Sequence, residues 1–208
     1  DALTGCFDII DAMHTYWGGI WGHVAIEARG QTWIDDLFVT PRIDPTRCSI
    51  WASFAGGKTR RPTLRYEVID ARGFAVAMKQ STQPGALGPD DETGLTVPIP
   101  DGKLWSPNTP HLYTARLTLM RGDEVVDIAE TRFGLRTIEI RGPHILLNGK
   151  RVFLHGYGDD CVFPETVAAP SDKAVHLKRL RVAKDYGFNY VRHHSHFMPP
   201  DYYDAADE

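Results

Sequence analysis

LYTARLTLMRGDEVVDIAETRFG, residues 112–134, is the segment whose pattern indicates the fold class most clearly. Its first half alternates apolar and polar residues, which is the period of a half-buried β-strand, and the apolar positions are Tyr113, Ala115, Leu117 and Leu119. A polar tripeptide with a glycine at 121–123 indicates a turn, and Val126 and Ile128 continue the apolar face beyond it. The stretch therefore predicts an antiparallel hairpin with one face in a hydrophobic core.

The same alternation occurs in two segments upstream of this hairpin. The inward positions of CSIWASF and TLRYEVID are Cys48, Ile50, Ala52 and Phe54 in the first, and Leu64, Tyr66 and Val68 in the second. Ile69 then belongs to the outer side. Helical periodicity is nearly absent from residue 31 to residue 138. Several short strands separated by turns predict an antiparallel sandwich of immunoglobulin-like size.

Downstream, HILLNGKRVFLHG predicts a second hairpin, because Asn148 and Gly149 suit the two positive-φ positions of a type I′ turn. RVFLHG itself is an apolar run that predicts a strand. Ser171 is the predicted N-cap of a helix whose apolar positions recur at helical spacing and which ends at Gly187; these positions are Ala174, Leu177, Leu180 and Ala183.

FNYV predicts a second buried strand, and a second helix begins after Pro199 and Pro200. Strand, helix, strand and helix in this order are typical of a parallel sheet or barrel, in which functional residues lie at the carboxyl ends of the strands. Polar side chains that could form a site follow the two predicted strands, and they are Asp159, Asp160, Arg192, His193, His194 and His196.

The composition excludes several classes of partner. The 208 residues are 42% hydrophobic and 24% charged with a net charge of −4, so the chain lacks the basic excess that binds a nucleic acid backbone. No run approaches the roughly 20 apolar residues that span a bilayer, so no membrane partner is expected. Cys6, Cys48 and Cys161 are too dispersed for a disulfide framework or a zinc knuckle. Both ends look cut, so we expect a fragment of a longer chain, whose cellular location and oligomeric state the sequence does not specify.

Five motifs in order resemble glycoside hydrolase family 2, the family of β-galactosidases, β-glucuronidases and β-mannosidases. They are GGIWGHV at 18–24, LWSPNTPHLY at 104–113, FGLRTIEI at 133–140, ILLNGKRVFLHG at 145–156 and GFNYVRHHSHF at 187–197, with YYDAADE following. The resemblance implies the last strands of a jelly-roll domain in residues 1–30, an immunoglobulin-like β-sandwich in 31–138 and the first two strand-helix units of a catalytic TIM barrel in 139–208.

The implied activity is that of a retaining exo-glycosidase, most nearly a β-galactosidase, which acts on a carbohydrate substrate with no cofactor and no metal. Such chemistry needs one carboxyl as acid/base and a second as nucleophile. In the family both are glutamates on later barrel strands, so we expect them after Glu208 and expect these 208 residues to be inactive alone. Glu165 and Glu208 are interpreted as solvated or locally paired carboxylates.

The resemblance also assigns roles to the predicted site residues. Arg192 matches an arginine that orients the nucleophilic glutamate, and His196 resembles a histidine that faces the sugar hydroxyls. One extra residue between Arg192 and Ser195 leaves the alternative that His193 or His194 takes that place. The family's asparagine and histidine after the first barrel strand are not found, and GYGDD, which contains Asp159 and Asp160, stands there instead. Either these aspartates bind sugar hydroxyls or they cap a turn.

Two other hypotheses remain open. His194 and His196 are two residues apart on an extended chain, a spacing with which some metal-dependent hydrolases bind zinc. Alternatively, the chain is a non-catalytic carbohydrate-binding or spacer module. Three tryptophans, Trp17, Trp21 and Trp105, could form sugar-stacking surfaces, although aromatic residues in sandwiches usually belong to the core.

Overall fold

The computed structural model describes residues 20, 22–83, 85–87, 91–166, 168–194 and 196–208. Contacts divide the chain into two units, Glu27–Val152 and a second unit that joins the described residues before Glu27 to Phe153–Glu208. Most of the predicted jelly-roll segment, with Trp17 and Trp21, lies outside the described residues. The described helices are all too short or too polar to cross a membrane. The predicted domain boundaries at 30/31 and 138/139 stay predictions.

The first unit consists of strands. In chain order they are β1 (Thr32–Ile43), β2 (Thr46–Gly56), β3 (Thr59–Arg60), β4 (Thr63–Ile69), β5 (Ala75–Thr82), β6 (Ala86–Leu87), β7 (Glu92–Pro98), β8 (Leu112–Arg121), β9 (Glu124–Gly134), β10 (Ile138–Arg141), β11 (His144–Leu147) and β12 (Lys150–Val152). One antiparallel sheet has the order β1-β2-β7 and another the order β5-β4-β8-β9. Three strands facing four is the arrangement of a constant-type immunoglobulin sandwich, so the predicted mainly β fold is confirmed.

The core lies between these two sheets. The predicted inward positions of β2, β4 and β8 are all buried, and Cys48, Ile50, Leu64, Tyr66, Val68, Ala115, Leu117 and Leu119 have no exposed surface. The residues between them along β2 and β4 are more exposed, whereas Thr118 between Leu117 and Leu119 on β8 is completely buried. Trp51 on β2 has 49% of its surface exposed. Its ring fills the space above Gly94 on β7, where a Cβ atom would lie 2.3 Å from the indole.

One predicted orientation in the sandwich is wrong, that of Ile128, and one predicted outward position, Ile69, is more buried than the alternation implies. Ile69 is only 8% exposed, but it does not belong to the core between the sheets, and its regular pairing with Thr114 of β8 continues the alternation of β4. Ile128 is 49% exposed, although Val126 packs against the core as predicted. The β8–β9 pairing shifts between Leu119 and Met120, so β9 carries one extra residue and its later positions exchange faces.

Two hydrogen bonds made by side chains connect separate segments of this unit. The Tyr113 hydroxyl accepts a hydrogen bond from the Lys103 backbone N–H at 2.9 Å, as tyrosines at the start of such strands do in immunoglobulin-like sandwiches. The Ile34 N–H donates to the Asp127 carboxylate at 2.8 Å. This second bond links β1 of one sheet to β9 of the other.

The predicted turn at Asn148 and Gly149 joins β11 to β12 and is confirmed. Both residues have positive φ, +52° and +74° respectively. The Asn148 side chain accepts a hydrogen bond from the Thr137 N–H at 3.0 Å and donates to the Trp105 carbonyl at 2.9 Å. One side chain therefore fixes the turn against two other segments of the same unit.

The second unit contains β13 (Gly156–Asp159), α1 (Lys173–Asp185), β14 (Tyr190–His193) and α2 (Pro200–Ala206), with β13 and β14 parallel. Its small core consists of Phe163, Ala169, Met198 and Tyr202. As predicted, Gly187 terminates α1, since it follows the C-cap Tyr186 with φ +84°. The Gly187 and Phe188 N–H groups donate to the carbonyls of Lys184 and Ala183 in a Schellman motif.

Three predictions for this unit are wrong in position. The N-cap of α1 is Asp172 and not Ser171, since the Asp172 carboxylate accepts from the Ala174 N–H. RVFLHG is not one strand, because β12 ends at Val152, Phe153 is 79% exposed and β13 begins at Gly156, where its pairing with Tyr190 starts. The strand predicted at FNYV lies two residues later, because β14 spans Tyr190–His193, and it is not fully buried, since Tyr190 is 43% exposed.

Candidate functional site

All six predicted site residues lie at the carboxyl ends of β13 and β14. In the parallel register Gly158 pairs with Arg192 and Asp159 with His193. The His194 N–H donates to the Asp159 carbonyl at 2.9 Å, so the pairing continues one residue beyond the strands. Asp159 is thus the last residue of β13, and Asp160 follows it directly. This is the edge at which parallel α/β folds place functional groups.

The two faces of this strand pair differ in burial. Tyr157, Asp159, Val191 and His193 lie on one face and are buried or half-buried, whereas Gly158 and Arg192 on the other face are exposed. Successive side chains of a strand point to opposite faces, so the six residues divide into two groups. We call the face that carries Arg192 the open face and the face that carries Asp159 the helix face.

The open face presents groups that a solute can reach. Arg192 is exposed at the end of β14. His194, two residues later, has its Nδ1 atom 3.1 Å from the Asp160 carboxylate, with 43% and 52% of the two side chains accessible. A guanidinium, an imidazole and a carboxylate close to one strand edge can donate to and accept from sugar hydroxyls.

The helix face carries a buried polar cluster of Asp159, His193 and His196. Each offers one potential ligand atom, and these atoms lie within 4.8 Å of one another. Asp159 is 6% exposed; its Oδ1 atom accepts from the Cys161 N–H at 2.9 Å, and its Oδ2 atom is 3.7 Å from the Arg179 guanidinium of α1.

Two imidazole nitrogens in this cluster are unsatisfied. The Nδ1 atom of His196 is 2.8 Å from the His194 carbonyl, so that nitrogen is the hydrogen-bond donor. Its Nε2 atom and the Nδ1 atom of His193 are buried and have no hydrogen-bond partner among the described residues. The His193 ring lies edge-on to both His196 and Tyr202, with centroids 5.2 and 4.6 Å apart.

Burial shifts the pKa of one histidine in this cluster and of two tyrosines beside it. It lowers the pKa of His193 below the ordinary histidine value, because the imidazolium form loses its hydration; the positive Arg179 adds to this effect, and Asp159 opposes it. Burial likewise raises the pKa of the Tyr202 and Tyr157 hydroxyls, and the negative charge of Asp159 adds to both shifts. His193 is therefore a neutral imidazole with an available lone pair at neutral pH.

Sequence reasoning missed two residues that complete this region, Arg179 and Tyr202. Arg179 belongs to α1, pairs with Asp159 and has its guanidinium 4.4 Å above the Phe163 ring. Tyr202 belongs to α2 and covers His193. Only their positions in the sequence could have indicated them, because a helix that follows a parallel strand packs one side against the sheet. Arginine and tyrosine are so common at helix surfaces that the pattern alone does not single them out.

The remaining candidates have local partners. Glu208 pairs with Lys173, and Glu165 is exposed. The Trp105 ring is covered on one face by the Arg136 guanidinium at 4.6 Å, which leaves that face unavailable for stacking on a sugar. Among the described residues, His194 lies outside the group of three that could hold a metal, and its Nδ1 atom faces the Asp160 carboxylate.

Comparison with known proteins identifies the family of this chain. The model of glycosyl hydrolases family 2 matches residues 32–136, half of the chain, so the chain belongs to that family. It is 26% identical over 205 residues to a β-galactosidase of Thermoanaerobacter pseudethanolicus, an alignment that covers 96% of this chain and 27% of that protein.

Solved structures show the same fold. A family 2 member from Bacteroides cellulosilyticus superposes with a TM-score of 0.74 at 22% identity, covering 86% of this chain and 24% of that one. The β-glucuronidase of Bifidobacterium dentium, complexed with coumarin-3-O-glucuronide, gives 0.68 at 21% identity, with 86% and 30% covered. The chain thus spans about a quarter of the length of the proteins that it matches.

Proposed function

We propose that this chain is part of a retaining exo-glycosidase that hydrolyses O-glycosidic bonds, with β-galactosidase-like activity as the first expectation. Family membership supports the class of reaction. The observation that supports a site at this position most directly is the exposed Arg192 at the carboxyl end of β14, with the His194–Asp160 pair beside it on the open face.

In this proposal Arg192 orients a nucleophilic glutamate supplied by a later part of the full-length protein. A guanidinium gives two parallel hydrogen bonds to a carboxylate, which fixes both its position and its charge. Positioning groups of this kind contribute through the geometry of the reacting carboxylate, so their removal lowers kcat more than it raises KM.

His194 and Asp160 are the accessible candidates for contact with sugar hydroxyls. Their exposure favours the register in which His194, rather than His196, takes the place of the family's sugar-facing histidine. Asp159, His193 and His196 then support the site from the helix face. The roles of these residues and the identity of the sugar are predictions.

The test is the Arg192→Ala variant of the full-length protein, assayed with aryl β-galactoside and aryl β-glucuronide. We expect kcat to fall by about 10²–10³-fold, the scale of removing one positioned donor from a water-poor site. Arg192→Lys should recover little, because an ammonium cannot make the paired contact. Arg181→Ala is the matched control, since Arg181 is an exposed arginine on α1. A kcat within about threefold of wild type for Arg192→Ala would contradict the proposed role.

The 208 residues alone should hydrolyse neither substrate. A retaining mechanism needs two carboxyl groups about 5 Å apart, and we expect the family's pair of glutamates on barrel strands after Glu208. Turnover by the purified 208-residue chain that persists in EDTA would contradict this expectation. The alternative of a non-catalytic module predicts that the full-length protein is inactive as well.

A further inference from the structure

The buried polar cluster on the helix face is costly unless something binds it. Asp159 and His196 are 6% and 9% exposed, and the His193 Nδ1 and His196 Nε2 atoms have no partner among the described residues. Leaving one buried polar atom unsatisfied costs about 1–3 kcal/mol. Unsatisfied atoms on two neighbouring side chains therefore indicate a ligand that accepts imidazole lone pairs.

We propose that Asp159, His193 and His196 bind one divalent transition-metal ion, of which Zn²⁺ is the best match. Two imidazoles and one carboxylate are a common protein ligand set for zinc, with water completing the coordination. The three ligand atoms lie within 4.8 Å of one another. Tetrahedral zinc needs about 3.4 Å between ligand atoms, so the three side chains would have to move slightly closer together around the ion.

The ion belongs to a different place from the sugar site. Asp159 and His193 point to the helix face, whereas Arg192 points to the open face of the same two strands. Its ligands come from the end of β13, the end of β14 and the segment leading to α2, and Tyr202 of α2 covers His193. The ion would therefore fix the carboxyl ends of both strands relative to α2. This inference does not depend on the glycosidase proposal.

Arg179 gives the proposal a test with a definite sign. Its guanidinium is 3.7 Å from the Asp159 Oδ2 atom and competes with a cation for that carboxylate. Removing this positive charge should strengthen metal binding, because the repulsion disappears and the carboxylate loses its other charged partner. If Arg179 only stabilised the fold, its removal would not strengthen metal binding. We therefore expect Arg179→Gln to lower the Kd for Zn²⁺ several-fold.

The experiment uses the full-length protein, stripped with EDTA and titrated with Zn²⁺ by calorimetry, with Co²⁺ as a spectroscopic probe. We expect one ion per chain, visible absorption typical of tetrahedral Co²⁺, and a rise in Tm with Zn²⁺ that EDTA reverses. His193→Asn and His196→Gln keep most of the side-chain volume and should each weaken binding by about 100-fold or more. His194→Asn is the matched control from the same segment and should bind Zn²⁺ like wild type.

Circular dichroism establishes that each variant is folded before titration. Failure of the stripped wild-type protein to bind Zn²⁺ or Co²⁺ at up to about 1 mM would overturn the proposal. Equal loss of binding in His194→Asn would assign the metal to the His194–His196 pair instead. Unchanged binding in both His193→Asn and His196→Gln would place the ion elsewhere in the protein.

Discussion

Val126 and Ile128 show how one extra residue changes the environment of a side chain. Both belong to the apolar face that the sequence predicts for the strand after the turn, yet Val126 contacts the core and Ile128 is 49% exposed. The shift of pairing between Leu119 and Met120 separates them. A bulge has almost no signal in one sequence, because it depends on which residue of the neighbouring strand is opposite.

A buried and an exposed aliphatic side chain should differ in how much their truncation lowers the free energy of unfolding. Leu117 is completely buried, so Leu117→Ala should reduce the free energy of unfolding by about 2–5 kcal/mol through lost burial and a new cavity. Ile128→Ala, on the neighbouring strand, should change it by about 0.5 kcal/mol or less. Urea titration followed by tryptophan fluorescence measures both. A loss for Ile128→Ala as large as that for Leu117→Ala would mean that the bulge is absent.

Among single residues, alternation predicted the core well and the site less well. Every inward position predicted for the first part of the hairpin and for the two upstream strands is buried. The six site residues do lie at one strand edge, as their positions after two predicted strands implied. Their division between an open face and a helix face was not predictable, because it depends on where β13 begins. The apolar run RVFLHG suggested one strand over these residues, whereas β13 begins at Gly156.

At the scale of elements, the turn between β11 and β12 was predictable because its chemistry is local. Asn148 and Gly149 tolerate the left-handed conformation that a type I′ turn needs. Its role in the unit was not predictable, since the Asn148 side chain bonds to Thr137 and to Trp105, which is 43 residues away in sequence. Distant contacts of this kind leave no periodic pattern.

Substitutions at Asn148 can separate its backbone role from its side-chain role. Asn148→Gly keeps the positive φ but loses both side-chain hydrogen bonds, so we expect a loss of about 1–2 kcal/mol in unfolding free energy. Asn148→Ala loses the same bonds and adds about 1 kcal/mol of left-handed strain. Thermal unfolding of the two variants gives the comparison. If the alanine variant were the more stable of the two, the turn would not have the left-handed geometry described for it.

At the scale of the whole molecule, the two units differ in how fully they bury their strands. The sandwich encloses a core between two sheets, whereas β13 and β14 form a two-stranded sheet covered on one face. Two strands with an uncovered face have little independent stability. The sequence predicted this change of architecture near residue 153 from the change of period, while the position of β13 depended on its pairing with β14.

Hydrogen exchange of the 208-residue chain should reflect this difference. We expect slow exchange for backbone amides of β2, β4 and β8, and fast exchange for those of β13 and β14, since exchange follows the free energy of local opening. Mass spectrometry of peptic peptides resolves both regions. Equal protection in the two regions would contradict the expectation that the strand pair is the weaker part.

The Trp51 ring above Gly94 has a consequence for how this surface can change during evolution. The indole occupies the volume that any side chain at position 94 would need. A mutation that adds a side chain at 94 is therefore accepted only with a smaller residue at 51, and a large aromatic residue at 51 returns only with glycine at 94. The two positions should covary among relatives as one inherited pair.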